Sequence, residues 1–220
     1  MHEGHRDRVK KRFRQEGLDH FSDIQALELL LFYGIPRVDT NPIAHALLDR
    51  FGSLSQVLEA SPEELMKVPG VGENAALLLT LIPQMGRFYM VDRSSRVTIL
   101  QTLEQCADFL VPHFFGRKVE TVFILCLDAK CKLLCCKELG EGGPNSTGVS
   151  IRKIVETAIG VNAATVVLAH NHPSGLAVPS AEDIQTTRRI AHALQAVEIT
   201  LADHIIVADG DYVSIAMSDD

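Results

Sequence analysis

No run of apolar residues in this 220-residue chain approaches the ~18 that a membrane-spanning helix requires. The opening stretch, MHEGHRDRVKKRFRQEG, lacks the apolar core of a secretory signal. A disulfide framework is also missing. Of the five cysteines (Cys106, Cys126, Cys131, Cys135 and Cys136), four crowd into CLDAKCKLLCC, a spacing unlike that of secreted disulfide scaffolds. Cys131, Cys135 and Cys136 could recruit zinc, but no second ligand pair stands at normal spacing, so they read as small apolar residues in a hairpin. These absences together predict a cytoplasmic protein with reduced thiols and no membrane partner. Positive charge is not in excess either. Lys and Arg total 21 against 28 Asp and Glu, giving −7, so the surface as a whole is no nucleic-acid footprint. A local footprint stays open, because Arg6, Arg8, Lys10, Lys11, Arg12 and Arg14 gather in the first segment. They form either a solvated helix face or a phosphate-contacting arm. The glycine-rich GEGGPNSTG lacks the Gly-Lys-Ser/Thr ending of a nucleotide-binding loop and is expected to border a cleft instead.

What is present suffices for packed cores: 46% of residues are hydrophobic and 22% charged. The first part reads as helices with short connections. DIQALELLLFYG has helical periodicity, with Ser22 or Asp23 as its start signal and Gly34 and Pro36 ending it. NPIAHALLDRFG places Asn41 as a cap before Pro42 and stops at Gly52. SLSQVLEA and SPEELMKV are shorter helices, the second with Ser61 and Glu64 at capping-box spacing. In VPGVGENAALLLTLI, Gly70 and Gly72 form a tight turn before a helix, whose backbone N–H groups can hold a phosphate. The stretch FGSLSQVLEASPEELMKVPGVGENAALLLTLI resembles a helix-hairpin-helix unit, which grips DNA backbone without reading bases. Lys67 is the single basic residue between Arg50 and Arg87, which leaves a packing or protein-binding role open beside DNA contact.

From about residue 93 the pattern changes. TLEQCADFLVPHFF reads as a helix, ETVFILCLDAKCKLLCCKEL as two strands around a turn, and VSIRKIVETAIG as a helix. ATVVLAH is a buried strand, SAEDIQTTRRIAHALQAV a helix, and ITLADHIIVADGDYVSI a final strand pair. The expectation is a small all-α domain over 1–92, a linker over 93–101, and an α/β layered domain over 102–220.

The chemistry gathers in VVLAHNHPSGLAVPSAED. A strand end projects residues i and i+2 to one side, so His170 and His172 can both face a point beyond the strand. Asp183 stands in the first turn of the next helix and can add a carboxylate, leaving a coordination position open as a catalytic metal site requires. Ser180 and Asp183 equally suit a capping box. His204 is either a partner orienting a ligand or an ordinary hydrogen-bonded strand residue. His113 and His192 show no partner in the sequence, and Arg152 is a candidate contact for an anionic substrate.

The stretch HNHPSGLAVPSAED resembles the JAMM motif of the JAB/MPN metalloprotease superfamily, through His170, His172, Pro173, Ser180 and Asp183. Asn171 stands where deubiquitinating members carry Ser or Thr, and HNHPSG is the form seen in bacterial RadC proteins. LADHIIV, STGVSIRKIVETAIG and the opening GHRDRVKKRF are similar to RadC as well, so the resemblance spans nearly the whole chain. It implies a JAB/MPN domain, α+β layered and cytidine-deaminase-like, preceded by the helix-hairpin-helix region. It also implies one catalytic Zn2+ held by His170, His172 and Asp183. Glu120, at the entrance of a buried strand where partial desolvation can raise a carboxylate's pKa, matches the superfamily's proton shuttle. Glu138 and Glu141 are the fallback carboxylates. Ser180 would donate to the tetrahedral oxyanion. The activity implied is cleavage of a peptide or isopeptide bond in an unknown protein or peptide substrate. The alternative is a DNA-associated repair factor whose metal site is structural or acts on nucleic acid, with DNA met through Gly70, Gly72 and the basic first segment.

Overall fold

Where apolar residues recur every three or four positions the chain coils into helices, and where they alternate or run unbroken it forms strands. A computed structural model describes residues 3–94, 98–142 and 149–215. Two compact units divide it, Met1–Met85 and Gly86–Asp220. The division falls inside a long helix. Residues 95–97 of the expected linker and 143–148 of the glycine-rich loop lie outside the described residues.

The first unit carries helices α1 (Glu3–Glu16), α2 (Asp23–Gly34), α3 (Asn41–Phe51), α4 (Leu54–Glu59) and α5 (Pro62–Leu65), and the start of α6 (Glu73–Ser94). Leu27, Leu31, Leu47, Val57, Leu65 and Leu79 close its core. Ser22 caps α2 through a reciprocal capping box with Gln25. Helix α3 departs from expectation: its cap is Thr40, not Asn41. The Thr40 hydroxyl makes no cap bond and donates instead to the backbone oxygen of Glu28. Asn41 turns its amide to the carboxylate of the buried Glu28, which also meets His5 Nε2 at 2.9 Å. Ser61 caps α5, but the Glu64 carboxylate leaves the box to bind Arg50 at 2.9 Å and Lys67. Gly70 has φ +90°, a conformation open to glycine, and its missing Cβ leaves room for Ile43. Arg50 and Lys67, the basic residues that precede this turn in the sequence, are thus already paired with Glu64. In α1, Arg6 donates to the backbone oxygens of Ile35 and Val38, while Arg12 reaches Glu16, Gln25 and the oxygen of His20. These two arginines of the basic segment staple α1 to its neighbours.

The second unit is a five-stranded sheet between helices. After the end of α6 come α7 (Leu103–Leu110), β1 (Thr121–Leu127), β2 (Leu133–Glu141), α8 (Ile151–Gly160), β3 (Thr165–Asn171), α9 (Ala181–Gln195), β4 (Thr200–Ala208) and β5 (Asp211–Ser214). The expected single helix over TLEQCADFLVPHFF stops at Leu110 and tightens into a 3₁₀ turn, Val111–Phe114, where Pro112 enters. Strand order is β2-β1-β3-β4-β5, antiparallel throughout except for the β3–β4 pair, which α9 connects as a crossover.

Side-chain alternation sorts the strands between two cores. Phe123, Leu125, Val167 and Val207 join Phe109 and Phe114 on one face. Val122, Ile124, Leu168 and Ile190 join Ile154 and Leu194 on the other, under α8 and α9. The same parity turns His170 and His204 towards α9. Cys126 stands opposite Cys135 in the β1–β2 ladder. Among the described residues no cysteine belongs to a cluster of three or more potential metal ligands. Burial raises the thiols of Cys106, to about 11, and of Cys126 and Cys136, which keeps them protonated. No helix of the described residues is long and apolar enough to cross a membrane.

Candidate metal centre

β3 delivers its last residues to the carboxyl edge of the sheet, and the chain leaves it through a turn closed by Gly175 N donating to His172 O. Gly175 has φ +82°, and a Cβ there would meet Asp209 Oδ2 at 2.8 Å, so the turn needs glycine. The turn folds His172 back beside His170. Their Nε2 atoms face each other at 2.9 Å. Asp183, in the first turn of α9, places Oδ1 at 3.4 Å from His170 Nε2 and Oδ2 at 3.6 Å from His172 Nε2. Glu120, just before β1, brings Oε1 to 3.9 Å from His170 Nε2. Ligand atoms of Glu120, His170 and His172 all lie within 4.8 Å of one another.

Hydrogen bonds around this cluster determine what the facing atoms are. His172 Nδ1 lies 3.1 Å from the backbone oxygen of Leu176, which can only accept, so Nδ1 carries the proton and Nε2 a lone pair. His170 Nδ1 lies 2.8 Å from Nε2 of the fully buried His204. His172 Nε2 and a carboxylate oxygen converge here as acceptors, joined by His170 Nε2 when the His170 proton is on Nδ1, an arrangement that a cation satisfies and neutral side chains cannot. Donor atoms sharing a tetrahedral zinc, with bonds of about 2.1 Å, stand about 3.4 Å apart. The 2.9 Å between the two histidine nitrogens and the 3.4 Å from His170 Nε2 to Asp183 Oδ1 lie near that spacing. The residues present suit a zinc-like ion.

Asp183 divides its work between two oxygens. Oδ2 accepts from the Ser180 hydroxyl at 2.6 Å and the Ser180 N–H at 2.8 Å, and Asp183 N–H donates back to Ser180 Oγ at 3.1 Å, completing a capping box. Oδ1 remains directed at His170. Burial pushes the Asp183 carboxyl up, but the adjacent His170 ring and the bonds from Ser180 outweigh it and hold the group well below the usual carboxylate range. The Ser180 proton goes to Asp183 in this structure.

Asn171, between the two histidines, holds the segment that carries Glu120. Its Oδ1 accepts from Thr121 N–H at 2.8 Å and its amide donates to Val119 O at 3.2 Å, gripping the chain on both sides of the glutamate. Sequence reading singled out Asn171 only as a family marker. Of the fallback carboxylates, Glu138 is bound to Arg117 at 2.7 Å, and the backbone of Glu141 pairs with Thr121 in the β1–β2 ladder. Neither joins the cluster. Arg152 pairs with Glu156 one turn along α8. His113 has partners after all, Phe109 O and the Cys136 thiol, and His192 Nδ1 meets Arg188 O.

Burial, reinforced by His170, keeps the His204 ring neutral, with a pKa of about 3 against an ordinary value near 6.5. The unfolded chain binds that proton from about pH 6.5 downward while the folded protein refuses it. Stability of the metal-free protein is therefore full above about pH 6.5 and falls as the pH drops towards 3, by up to about 1.4 kcal/mol per unit from this ring. Asp183 adds a further loss that begins below about pH 4. Urea unfolding between pH 7 and 4 should show a steadily falling midpoint. A flat midpoint would contradict a buried, neutral His204.

Known proteins place the chain in context. A family model described as the RadC-like JAB domain matches residues 100–219, and one described as UPF0758 N-terminal matches residues 3–77. The UPF0758 protein FN0909 of Fusobacterium nucleatum is 33% identical over 219 residues, covering 96% of this chain and 94% of that protein. The UPF0758 protein Bxeno_A3578 of Paraburkholderia xenovorans is 33% identical over 210 residues, covering 96% of this chain and 83% of its own length.

Proposed function

This chain belongs to the RadC-like JAB domain family, and from that premise we propose that it is a metal-dependent hydrolase cleaving a peptide or isopeptide bond. The observation that carries the reading is the convergence of His170 Nε2, His172 Nε2 and Asp183 Oδ1 as acceptors, with the Glu120 carboxylate at their side. When bound there, a zinc or similar divalent ion would lower the pKa of a water to about 7 and polarise the scissile carbonyl. His170, His172 and Asp183 hold the ion. Glu120, one-third exposed, takes the proton of the attacking water as the water oxygen bonds the carbonyl carbon. As the C–N bond breaks, Glu120 passes that proton to the departing amine. Asn171 keeps Glu120 at its station through the peptide groups on either side.

Ser180 donates to the developing oxyanion by exchanging its bond to Asp183 Oδ2 for one to substrate. Ser180→Ala should then cost about 1 kcal/mol of stability through the lost cap, and lower kcat about 10²-fold. Thermal unfolding and kcat measured side by side check this. A stability loss with unchanged kcat would reduce Ser180 to a helix cap.

A panel of peptide, isopeptide and DNA substrates, run with wild type beside Glu120→Gln, tests the assignment. Amide cleavage by wild type alone is the expected outcome. DNA cleavage by wild type that Glu120→Gln loses would overturn the peptidase reading.

A further inference from the structure

The two hydrogen bonds behind His170 have a direction that can be read from chemistry. Thr187 stands one turn after Asp183 on α9, and its hydroxyl lies 2.7 Å from the Asp183 backbone oxygen and 2.6 Å from His204 Nδ1. A carbonyl oxygen has no proton and a hydroxyl has one. Both contacts are hydrogen bonds only if Thr187 donates to Asp183 O and accepts from His204 Nδ1–H. A neutral His204 then has its lone pair on Nε2, so the 2.8 Å contact to His170 is donated by His170 Nδ1–H. The remaining nitrogen of His170, Nε2, is left unprotonated and aimed at His172 and Asp183.

We infer that Thr187 and His204 are positioning residues that fix the tautomer of His170 through a one-way chain anchored on the backbone of Asp183, itself a ligand of the proposed site. The inference rests on the metal-hydrolase reading for its purpose, though the hydrogen-bond chain exists without metal. It ties two ligands together, since the same turn of α9 that brings Asp183 Oδ1 to His170 Nε2 sets the proton on the far side of the His170 ring. Without the Thr187 oxygen, His204 is free to carry its proton on Nε2. It would then donate to His170 Nδ1 and drive the His170 proton onto the ligand atom. Outer partners of metal-bound histidines act in this manner and are generally worth 10–100-fold in metal affinity.

Cobalt(II) or zinc(II) titrations of wild type, Thr187→Val and Thr187→Ser test the inference without any substrate. Thr187 is half-buried on α9, and valine matches its shape. Thr187→Val should bind either ion about 10–100-fold more weakly and change the cobalt absorption spectrum. Thr187→Ser, which keeps the hydroxyl, should restore both. Nitrogen-15 spectra of the histidine rings read the tautomers directly in metal-free protein, with the proton of His204 expected on Nδ1. Wild-type affinity and spectrum in Thr187→Val, or a His204 proton on Nε2, would overturn the inference while leaving the metal site standing. Should wild type take up neither ion, the hydrolase reading falls, and the His204 tautomer still decides the chain.

Discussion

His172→Ala is expected to emerge from purification without bound metal and without hydrolytic activity. The variant removes one of two nitrogens facing each other at 2.9 Å and leaves only His170 and Asp183 of the proposed ligands. Two protein ligands do not make the closed side of a catalytic zinc site, which takes three. The affinity loss should exceed the 10–100-fold that outer partners cost. His172 is the informative choice of the two histidines. His170 is fully buried in the sheet, so its removal confounds folding with binding, whereas His172 sits partly exposed in the turn after β3. Far-ultraviolet circular dichroism should match wild type. Metal content by elemental analysis and turnover of a cleaved peptide check the prediction together.

Glu120→Gln should separate binding from chemistry. Glutamine preserves the size of the side chain and loses its ability to take a proton, so the variant keeps its metal and loses about 10²–10⁴-fold in kcat. The position of Glu120 supports this division. Its Oε1 lies 3.9 Å from one histidine nitrogen, whereas Asp183 has an oxygen near each of the two. A variant that lost metal would make Glu120 a ligand, and the proton shuttle would have to be sought elsewhere. Measured affinity beside measured kcat distinguishes the outcomes.

Much of this centre is legible from local pattern. The i and i+2 parity of a strand end explains His170 and His172 sharing a side, and capping-box spacing places Asp183 at the start of α9. Glu120 is local only in part, because its nearness to His170 follows from the antiparallel β1–β3 pairing that sets Val122 opposite His170. The residues that support the centre depend on contacts no local pattern carries. His204 is 34 positions from His170, and its role follows from the parallel β3–β4 register, in which Leu168 faces His204 and His170 faces Ile206. From sequence, an ordinary hydrogen-bonded strand histidine is the favoured account of His204. Asn171 reads only as a mark of the RadC form of the motif, and its grip on the Glu120 segment appears once β1 is laid beside β3. Asp183 and Thr187 are four apart, on one face of α9, and Thr187 meets the histidine of LADHIIV.

The helical unit shows the same limit. Its helices follow their periodicity, yet Thr40 displaces Asn41 as the cap because Asn41 is drawn to the buried Glu28 carboxylate. Glu64 leaves its capping box for Arg50 and Lys67. Capping signals give the start of a helix to within a residue, and a nearby charge decides which side chain answers.

The central claim is that His170, His172 and Asp183 form one metal-binding centre beside a carboxylate that is not a ligand. Elemental analysis of exhaustively dialysed protein, after incubation with zinc, tests it most directly. One zinc per chain is expected in wild type and in Glu120→Gln, and none in His172→Ala. Zinc absent from wild type, or retained in full by His172→Ala, would contradict the account.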